Sequence, residues 1–332
     1  MKNFFKNKTI LITGGTGSFG KAFVNKILEN SNPKKLIIFS RDELKQSEME
    51  IKLYKYKSRL RFFIGDIRDR DRIILASKNV DYLVHSAALK HIHSGEYNPF
   101  EVIKTNIIGS QNVIDAVNIN KIPKAVFLST DKAVAPINLY GATKLSAEKL
   151  FIASNNYAVN SKFSVVKYGN VFNSRGSVFP VFQEQKKREL LKITDKNMTR
   201  FNISLDEGVN LVTFVFRDMI GGETYIPKMK SIRIFDLVNI FKPKKGYKLI
   251  GIRPGEKLHE ELISNSDSSY KIEFKNYFLV LPSTADKDSA KKFLQNSNKE
   301  KGKILKNNFS YNSLDSGDFL NLKDIKSIIN KL

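Results

Sequence analysis

Lys8-Thr9-Ile10-Leu11-Ile12 runs directly into Thr13-Gly14-Gly15-Thr16-Gly17-Ser18-Phe19-Gly20. The first five residues read as a short buried strand, and a helical pattern opens at about Phe19. Gly14, Gly17 and Gly20 stand three apart. One glycine of such a trio accepts dihedrals that other residues avoid. A second lets the backbone approach a pyrophosphate, and a third lets the helix close on the strand. The helix N-terminus then offers free N–H groups and a partial positive charge to phosphates. Glycine turns in many chains merely connect elements. This one follows a strand and opens a helix, and so predicts a dinucleotide site.

The elements downstream repeat the alternation. Lys35 to Phe39, Leu60 to Ile64, Tyr82 to His85, Ala125 to Leu128 and Phe163 to Val166 read as strands, with helical patterns between them such as Glu101 to Asn118 and Tyr140 to Ser154. Strands separated by helices imply parallel βαβ units with right-handed crossovers. The expected fold is α/β, a Rossmann-type doubly wound parallel sheet with a smaller C-terminal substrate-binding lobe. Polar residues cluster just after the strands, at Ser40-Arg41-Asp42, Gly65-Asp66-Ile67, Ser86 to Lys90, Ser129-Thr130 and Tyr168-Gly169-Asn170. Ligands of open α/β sheets bind at those carboxyl ends.

The end of the second strand bears on the cofactor. An acidic residue there hydrogen-bonds a ribose 2′-hydroxyl and repels a 2′-phosphate, whereas Ser40 and Arg41 offer a hydroxyl and a guanidinium that suit the phosphate. NADP is therefore expected over NAD. The competing reading makes Arg41 a solvated charge and gives the ribose to Asp42.

Ser129-Thr130-Asp131-Lys132, followed by Tyr140-Gly141-Ala142-Thr143-Lys144, brings an acid, a potential base, a phenol and an ammonium into one short stretch. Tyr-x-x-x-Lys alone is common by chance. After a dinucleotide site it points to oxidation of an alcohol, with Asp131 and Lys132 to move protons beside the new carbonyl. A free phenol, with a pKa of about 10, is a poor base at neutral pH. Lys144, one helical turn away, and a cationic nicotinamide are both expected to favour its phenolate. As the acid, Asp131 needs its proton; as the base, Lys132 needs a pKa depressed by burial or nearby cations. The plain structural alternative is that Asp131 caps the following segment and pairs with Lys132.

Composition narrows the field. The chain has 332 residues, 41% hydrophobic and 27% charged, which suits a globular protein of two lobes. It has no cysteine, which excludes disulfides, thiolate zinc sites and thiol nucleophiles, and is compatible with an expected cytoplasmic location. No apolar run reaches membrane-spanning length. The formal net charge is +23, but the lysines are scattered and no nucleic-acid module appears. A solvated lysine surface, an anionic cofactor and an anionic substrate account for it; neither nucleic acid nor membrane is expected as a partner. His91 and His93 lack a carboxylate cluster at ligand spacing, so no metal is expected.

After about Asn173 the pattern loosens. Ser174-Arg175-Gly176-Ser177 reads as a polar turn, and Arg200 and Arg253 lie beside short strands and turns. A guanidinium pairs bidentately with phosphate oxygens, so each is a candidate diphosphate clamp, and equally a structural ion-pair partner. Residues 284–316, rich in Lys, Asn, Ser and Asp, read as a mobile surface segment before a short helix at Asn321 to Lys331.

With these residues assembled, residues 8–283 resemble the extended short-chain dehydrogenase/reductase superfamily. Within it they are similar to the inverting UDP-N-acetylglucosamine 4,6-dehydratases of pseudaminic acid biosynthesis. The glycine and Tyr-x-x-x-Lys elements are superfamily signals. More specific are Ser-Thr-Asp-Lys-Ala (129–133) and Ile-Arg-Pro-Gly-Glu-Lys-Leu-His-Glu (252–260), with Ala-Ala-Leu-Lys-His (87–91) and Ser-Arg-Gly-Ser-Val (174–178) beside them. His91-Ile92-His93-Ser94-Gly95 departs from the family's usual run.

The resemblance implies an NADP-binding Rossmann domain over 1–172 that carries the catalytic residues, and a substrate lobe over 173–283 interleaved with it. The C-terminal segment lies outside the resemblance, and from its composition residues 284–332 are expected to form a mobile tail with a short terminal helix. The resemblance implies catalysis by Asp131, Lys132 and Tyr140. Cofactor contacts fall on Gly14, Thr16, Gly17, Ser18, Phe19, Gly20, Ser40, Arg41, Lys45, Asp66, Ile67, Ala87, Lys90, Tyr140 and Lys144. Substrate contacts fall on Lys90, Thr130, Asn170, Arg175, Val178, Thr194, Arg200, Arg253 and Glu256. The substrate implied is UDP-N-acetylglucosamine, oxidised at carbon 4, dehydrated across carbons 5 and 6, and reprotonated with inversion at carbon 5. The product is UDP-2-acetamido-2,6-dideoxy-β-L-arabino-hex-4-ulose, and a homo-oligomer is expected. A UDP-sugar 4-epimerase, the dehydratase/5-epimerase of another N-acetyl sugar pathway and a non-catalytic NADP-sensing scaffold are the competing readings.

Overall fold

The computed structural model describes residues 3–172, 178–187 and 190–330. Six strands, β1 (Thr9–Thr13), β2 (Lys35–Ser40), β3 (Leu60–Ile64), β4 (Tyr82–His85), β5 (Lys124–Thr130) and β6 (Lys162–Tyr168), run parallel in the order β3-β2-β1-β4-β5-β6. Thr224–Pro227 adds parallel to β6. Tyr277–Val280, Lys271–Glu273 and Lys303–Ile304 then extend the sheet antiparallel to ten strands. The strand order reverses between β1 and β4, and a crevice opens there at the carboxyl ends.

Both sheet faces are buried. Ile10, Ile12, Leu36, Ile38, Val84 and Val126 share one core with Phe23, Val24, Val209 and Val212 of the helices Ser18–Asn30 and Leu205–Asp218. Their neighbours Leu11, Ile37, Phe39, Leu83, Ala125 and Phe127 share a second core with Ile73, Val113, Val117 and Phe151 of the helices Arg70–Ala76, Gly109–Ile119 and Leu139–Ala153. Side chains alternate across a strand. Covering both faces therefore demands apolar residues at every position, which is why these strands read as continuous apolar runs.

The smaller lobe has its own core, which includes Phe172, Phe182, Leu191, Met198, Ile232, Leu237 and Phe241. Leu320 and Ile325, the latter on the helix Leu322–Asn330, complete it. The mobile segment expected over 284–316 is thus overturned, whereas the short helix expected at the end of the tail is present as Leu322–Asn330. Lys303–Ile304 belongs to the main sheet, and Tyr311–Asn312 pairs with Glu261–Ile263. The Tyr311 ring lies 4.7 Å from that of Phe201, and its hydroxyl donates to the Met229 carbonyl at 2.9 Å. A few well-spaced apolar anchors hold a segment whose bulk composition is that of a solvated chain.

The helix expected from Glu101 to Asn118 is interrupted. Pro99–Ile103 and Gly109–Ile119 are α-helical, with a π turn over Lys104–Ile108 between them. Such a turn widens the helix locally, and here it carries Asn106 inward, 1% exposed. No helix among the described residues is long and apolar enough to cross a membrane.

Candidate active site

The turn after β1 is shaped by close backbone approach. Gly14 has φ +65°, and a Cβ on it would lie 2.9 Å from the Ala87 backbone. A Cβ on Gly20 would lie 2.4 Å from the Gly15 carbonyl oxygen. Gly17 is the N-cap of the helix Ser18–Asn30, and no side chain caps that first turn. The N-terminus therefore faces the crevice with donors suited to an anion.

A cleft of about 1350 Å³ runs from this turn to the small lobe. From the ends of β1 to β4 it is lined by Gly14, Thr16, Gly17, Ser18, Phe19, Gly20, Ser40, Arg41, Lys45, Asp66, Ile67, Ala87 and Lys90. From β5, β6 and the lobe come Thr130, Lys132, Tyr140, Lys144, Asn170, Thr194, Arg200, Arg253 and Glu256. Asp131 lies behind Lys132, fully buried. Val178 opens the helix Val178–Lys187. Arg175 lies outside the described residues.

At the β2 end the Ser40 and Thr16 hydroxyls meet at 2.8 Å. Asp42 is the N-cap of the helix Glu43–Lys52, accepts from the Lys45 amide at 3.0 Å and pairs with the Lys45 ammonium. Arg41 is exposed and reaches Asp66 at 3.7 Å. Arg68 grips Asp66 at 2.7 Å. Although burial pushes the Asp66 carboxyl up, hydrogen bonds and charge from Arg68, with the charge of Arg41, hold it below the usual carboxylate range.

Asp131 and Lys132 sit on the single turn Asp131–Ala133 that ends β5. The Lys132 Nζ lies 3.0 Å from Asp131 Oδ1, 3.2 Å from Asn170 Oδ1 and 3.3 Å from Glu260 Oε1. The Thr130 hydroxyl donates to Asp131 Oδ1 at 2.8 Å. Burial pulls the Lys132 ammonium down, but Asp131 and Glu260 together outweigh it and hold the pKa above that of an ordinary lysine. The depressed Lys132 expected from the sequence is therefore corrected, because the sequence did not reveal the second carboxylate.

Tyr140 stands on the first turn of the helix Leu139–Ala153, whose N-cap Asn138 accepts from the Gly141 amide at 2.8 Å. A Cβ on Gly141 would fall 2.1 Å from the Lys132 carbonyl oxygen, so this glycine lets the helix close on the Asp131–Lys132 turn. Burial pushes the Tyr140 phenol up to about 12; Lys132 opposes the rise and Asp131 adds to it. Lys144 is turned to the Leu128 carbonyl at 2.6 Å, above the Phe127 ring, and burial brings it down to about 7. Lys132 is the cation whose charge opposes the rise of the Tyr140 phenol.

Sequence reasoning missed three groups. Glu148 accepts from the Ser129 hydroxyl at the end of β5 and pairs with Lys167 at 3.0 Å. Asn106, in the π turn, accepts from the Leu89 amide at 2.9 Å and donates to Thr143 at 3.0 Å, tying the loop after β4 to the Tyr140 helix. Glu260 lies within the quoted 252–260 motif, 2% exposed and on the cleft wall. Arg200 is largely a structural partner rather than a ready diphosphate clamp. It donates to the carbonyls of Thr199, Leu258 and Lys257 at 2.7, 3.0 and 2.9 Å, and lies 3.5 Å from Glu256 and 3.7 Å from Glu260. Arg253 is exposed, with no ion pair to the described residues. No group of His, Cys, Asp and Glu among the described residues is arranged to hold a metal ion.

Sheet, glycine turn and cleft define a Rossmann-type α/β protein. The chain belongs to the family described as polysaccharide biosynthesis protein, which it matches over residues 10–282. It is 50% identical over 331 residues to a protein of Campylobacter jejuni (serotype O:23/36, strain 81-176) named UDP-N-acetylglucosamine 4,6-dehydratase (inverting), covering 98% of each chain. It is 41% identical over 335 residues to a protein of Rickettsia bellii (strain OSU 85-389) named UDP-glucose 4-epimerase, covering 98% of this chain and 96% of that one. Among solved structures, Pen from Bacillus thuringiensis superimposes with a TM-score of 0.87 at 36% identity, covering 99% of this chain and 98% of the other.

Proposed function

We propose that this protein is an inverting UDP-N-acetylglucosamine 4,6-dehydratase that uses NADP and acts at the entry to pseudaminic acid synthesis. One observation carries the reading. Asp131 and Lys132 touch at 3.0 Å beside Tyr140. Alcohol oxidation alone has no need of that acid–base pair. The name and 50% identity of the Campylobacter relative support it.

The glycine turn fits a dinucleotide, since close backbone contacts exclude side chains at Gly14 and Gly20 and the helix N-terminus carries no side-chain cap. The preference for NADP is supported by Arg41 and Ser40 at the β2 end and by the commitment of Asp42 to a helix cap. When bound there, the nicotinamide supplies a positive charge and reversible hydride exchange, so that carbon 4 is oxidised, carbon 6 is reduced and the reaction is redox-neutral.

The residues supply the proton movements. Tyr140, as its phenolate, takes the proton of the carbon-4 hydroxyl and returns a proton to carbon 5, on the face opposite Lys132, as hydride enters carbon 6, which gives the inversion and restores the phenolate. Passing one proton from Lys132 to Asp131 across their contact converts the ion pair into an amine and a carboxylic acid. The amine removes the carbon-5 proton, and the acid protonates the carbon-6 hydroxyl, which leaves as water. The pair is thereby restored, with no net proton gained or lost. A ketone at carbon 4 is what makes the carbon-5 proton acidic enough to remove. Lys90, Thr130, Asn170, Thr194, Arg253 and Glu256 are assigned to the sugar nucleotide.

Incubation with UDP-N-acetylglucosamine in deuterated water, followed by NMR, tests the reading. The expected product is a 6-deoxy-4-keto sugar carrying deuterium at carbon 5 with inverted configuration. Lys132→Ala should bind NADP yet release no such product, and full turnover by that variant would sink the assignment. The name of the Rickettsia relative favours a second reading, 4-epimerisation. Release of a 4-epimer with carbon 6 still hydroxylated would establish that one instead.

A further inference from the structure

Glu260 is a buried acid on the cleft wall with no role in the steps above. Its Oε1 lies 3.3 Å from Lys132 Nζ. An ammonium has three donors, and Asp131, Asn170 and Glu260 place one oxygen each against this one. Two carboxylates from different parts of the fold therefore hold the proposed base, one on its own turn and one on the small lobe. The other oxygens, Asp131 Oδ2 and Glu260 Oε2, are buried without a hydrogen-bond partner among the described residues.

Glu260 is itself seated by the C-terminal segment. Its amide donates to the Ser313 hydroxyl at 2.9 Å, and the Ser313 amide donates back to its carbonyl at 2.8 Å. The Ser313 hydroxyl also meets that of Thr199 at 2.7 Å. Glu261 and Ile263 continue the link by pairing with Asn312 and Tyr311.

We propose that Glu260, seated by Ser313, is a positioning residue for Lys132: its carboxylate sets where the amine nitrogen sits and how firmly it keeps its proton. This deepens the dehydratase reading and rests on it. The charged and titratable groups facing the pair are Asp131 and Tyr140 from the β5 turn and the helix after it, Arg200 from the strand Thr199–Ile203, and Lys257 from the lobe loop. Asp131 and Glu260 favour the ammonium, and Arg200 disfavours it. An opposite charge at this separation moves a pKa by about 1–3 units. Removing the Glu260 charge should therefore shift the limb of the kcat profile that reports Lys132 deprotonation by about that much towards lower pH.

The test is steady-state turnover of UDP-N-acetylglucosamine by Glu260→Gln, Glu260→Asp and Ser313→Ala across the pH range. Glu260→Gln should show the shifted limb with KM within about threefold of the parent. Glu260→Asp and Ser313→Ala retain both charges, and should keep the parent's limb while lowering kcat by about tenfold through misplacement. A Glu260→Gln profile that coincides with the parent's overturns the proposal. If that variant does not fold, unchanged kcat in the other two overturns it. A parent enzyme with no dehydratase turnover removes the reading of the site; an active parent with unshifted variants removes only the role of Glu260.

Discussion

His85 provides a quantitative test of how the crevice is built. It ends β4, is fully buried, and lies between Thr13 Oγ1 at 2.7 Å from Nδ1 and Ser110 Oγ at 3.0 Å from Nε2. The neighbours dictate its tautomer. Thr13 Oγ1 already accepts from the amides of Ser86 and Ala87 at 3.2 and 3.3 Å, so its own proton goes to Nδ1. Nε2 then carries the ring proton and donates to Ser110, which donates on to the Asn106 carbonyl at 2.6 Å. A second ring proton would face the Thr13 hydroxyl hydrogen. Burial, with the charge of Lys144, brings His85 down to about 3. The unfolded chain titrates near ~6.5. The folded value is depressed, so the full stability is present above about pH 6.5 and falls as the unfolded histidine gains its proton. At pH 5 the loss from this one group is about 2 kcal/mol, at ~1.36 kcal/mol per unit over ~1.5 units. Urea unfolding of the parent and of His85→Gln at pH 7.5 and pH 5.0 isolates the term. Gln does not titrate, so the parent should lose about 2 kcal/mol more than the variant between the two pH values. Equal losses, within about 0.5 kcal/mol, would refute both the tautomer and the neutral buried ring.

Two further substitutions probe the site. Gly141→Ala places a methyl group 2.1 Å from the Lys132 carbonyl oxygen and must push the Tyr140 helix off the Asp131–Lys132 turn. The expected cost is about 1–3 kcal/mol in urea unfolding, with kcat falling far more than KM, since misplacement rather than binding is affected. Arg41→Ala, at a position 54% exposed on its side chain and on the cleft wall, should weaken NADP by roughly 10- to 100-fold while leaving NAD nearly unchanged, because a charge-assisted bond is worth ~1.5–3 kcal/mol. Fluorescence titration with both dinucleotides checks it, and equal weakening of the two would remove Arg41 from the 2′-phosphate.

The parallel sheet and crevice were legible because they rest on local signals. Apolar runs buried on both faces, glycines at fixed spacing and polar residues at strand ends carry their meaning within a few residues. Asp131, Lys132 and Tyr140 were legible for the same reason: one turn and the helix after it bring them together. What remained hidden depends on partners far along the chain. Asn106 looks like any helical asparagine until the π turn carries it to Leu89 and Thr143. Lys132 looks like a lysine awaiting a depressed pKa until Glu260 arrives from the other lobe. Composition also misled over the last fifty or so residues. A segment can be polar on average and still be held by a few apolar anchors such as Tyr311, Leu320 and Ile325.

The two candidate arginines show how such long-range links divide the work of one motif. Arg200 and Arg253 looked alike in sequence, each beside a short strand or turn. Arg200 lies on the buried strand Thr199–Ile203, and its donors go to carbonyls of 257–258 and towards Glu256 and Glu260. It therefore holds the 252–260 loop against the lobe. Lys257 donates to the Val134 carbonyl at 2.6 Å, and Gly255 accepts from Asn138 at 2.8 Å, joining the same loop to the end of the Asp131–Ala133 turn and to the cap of the Tyr140 helix. The loop is thus tied at both ends, with Arg253 exposed above it and Glu260 turned inward to Lys132.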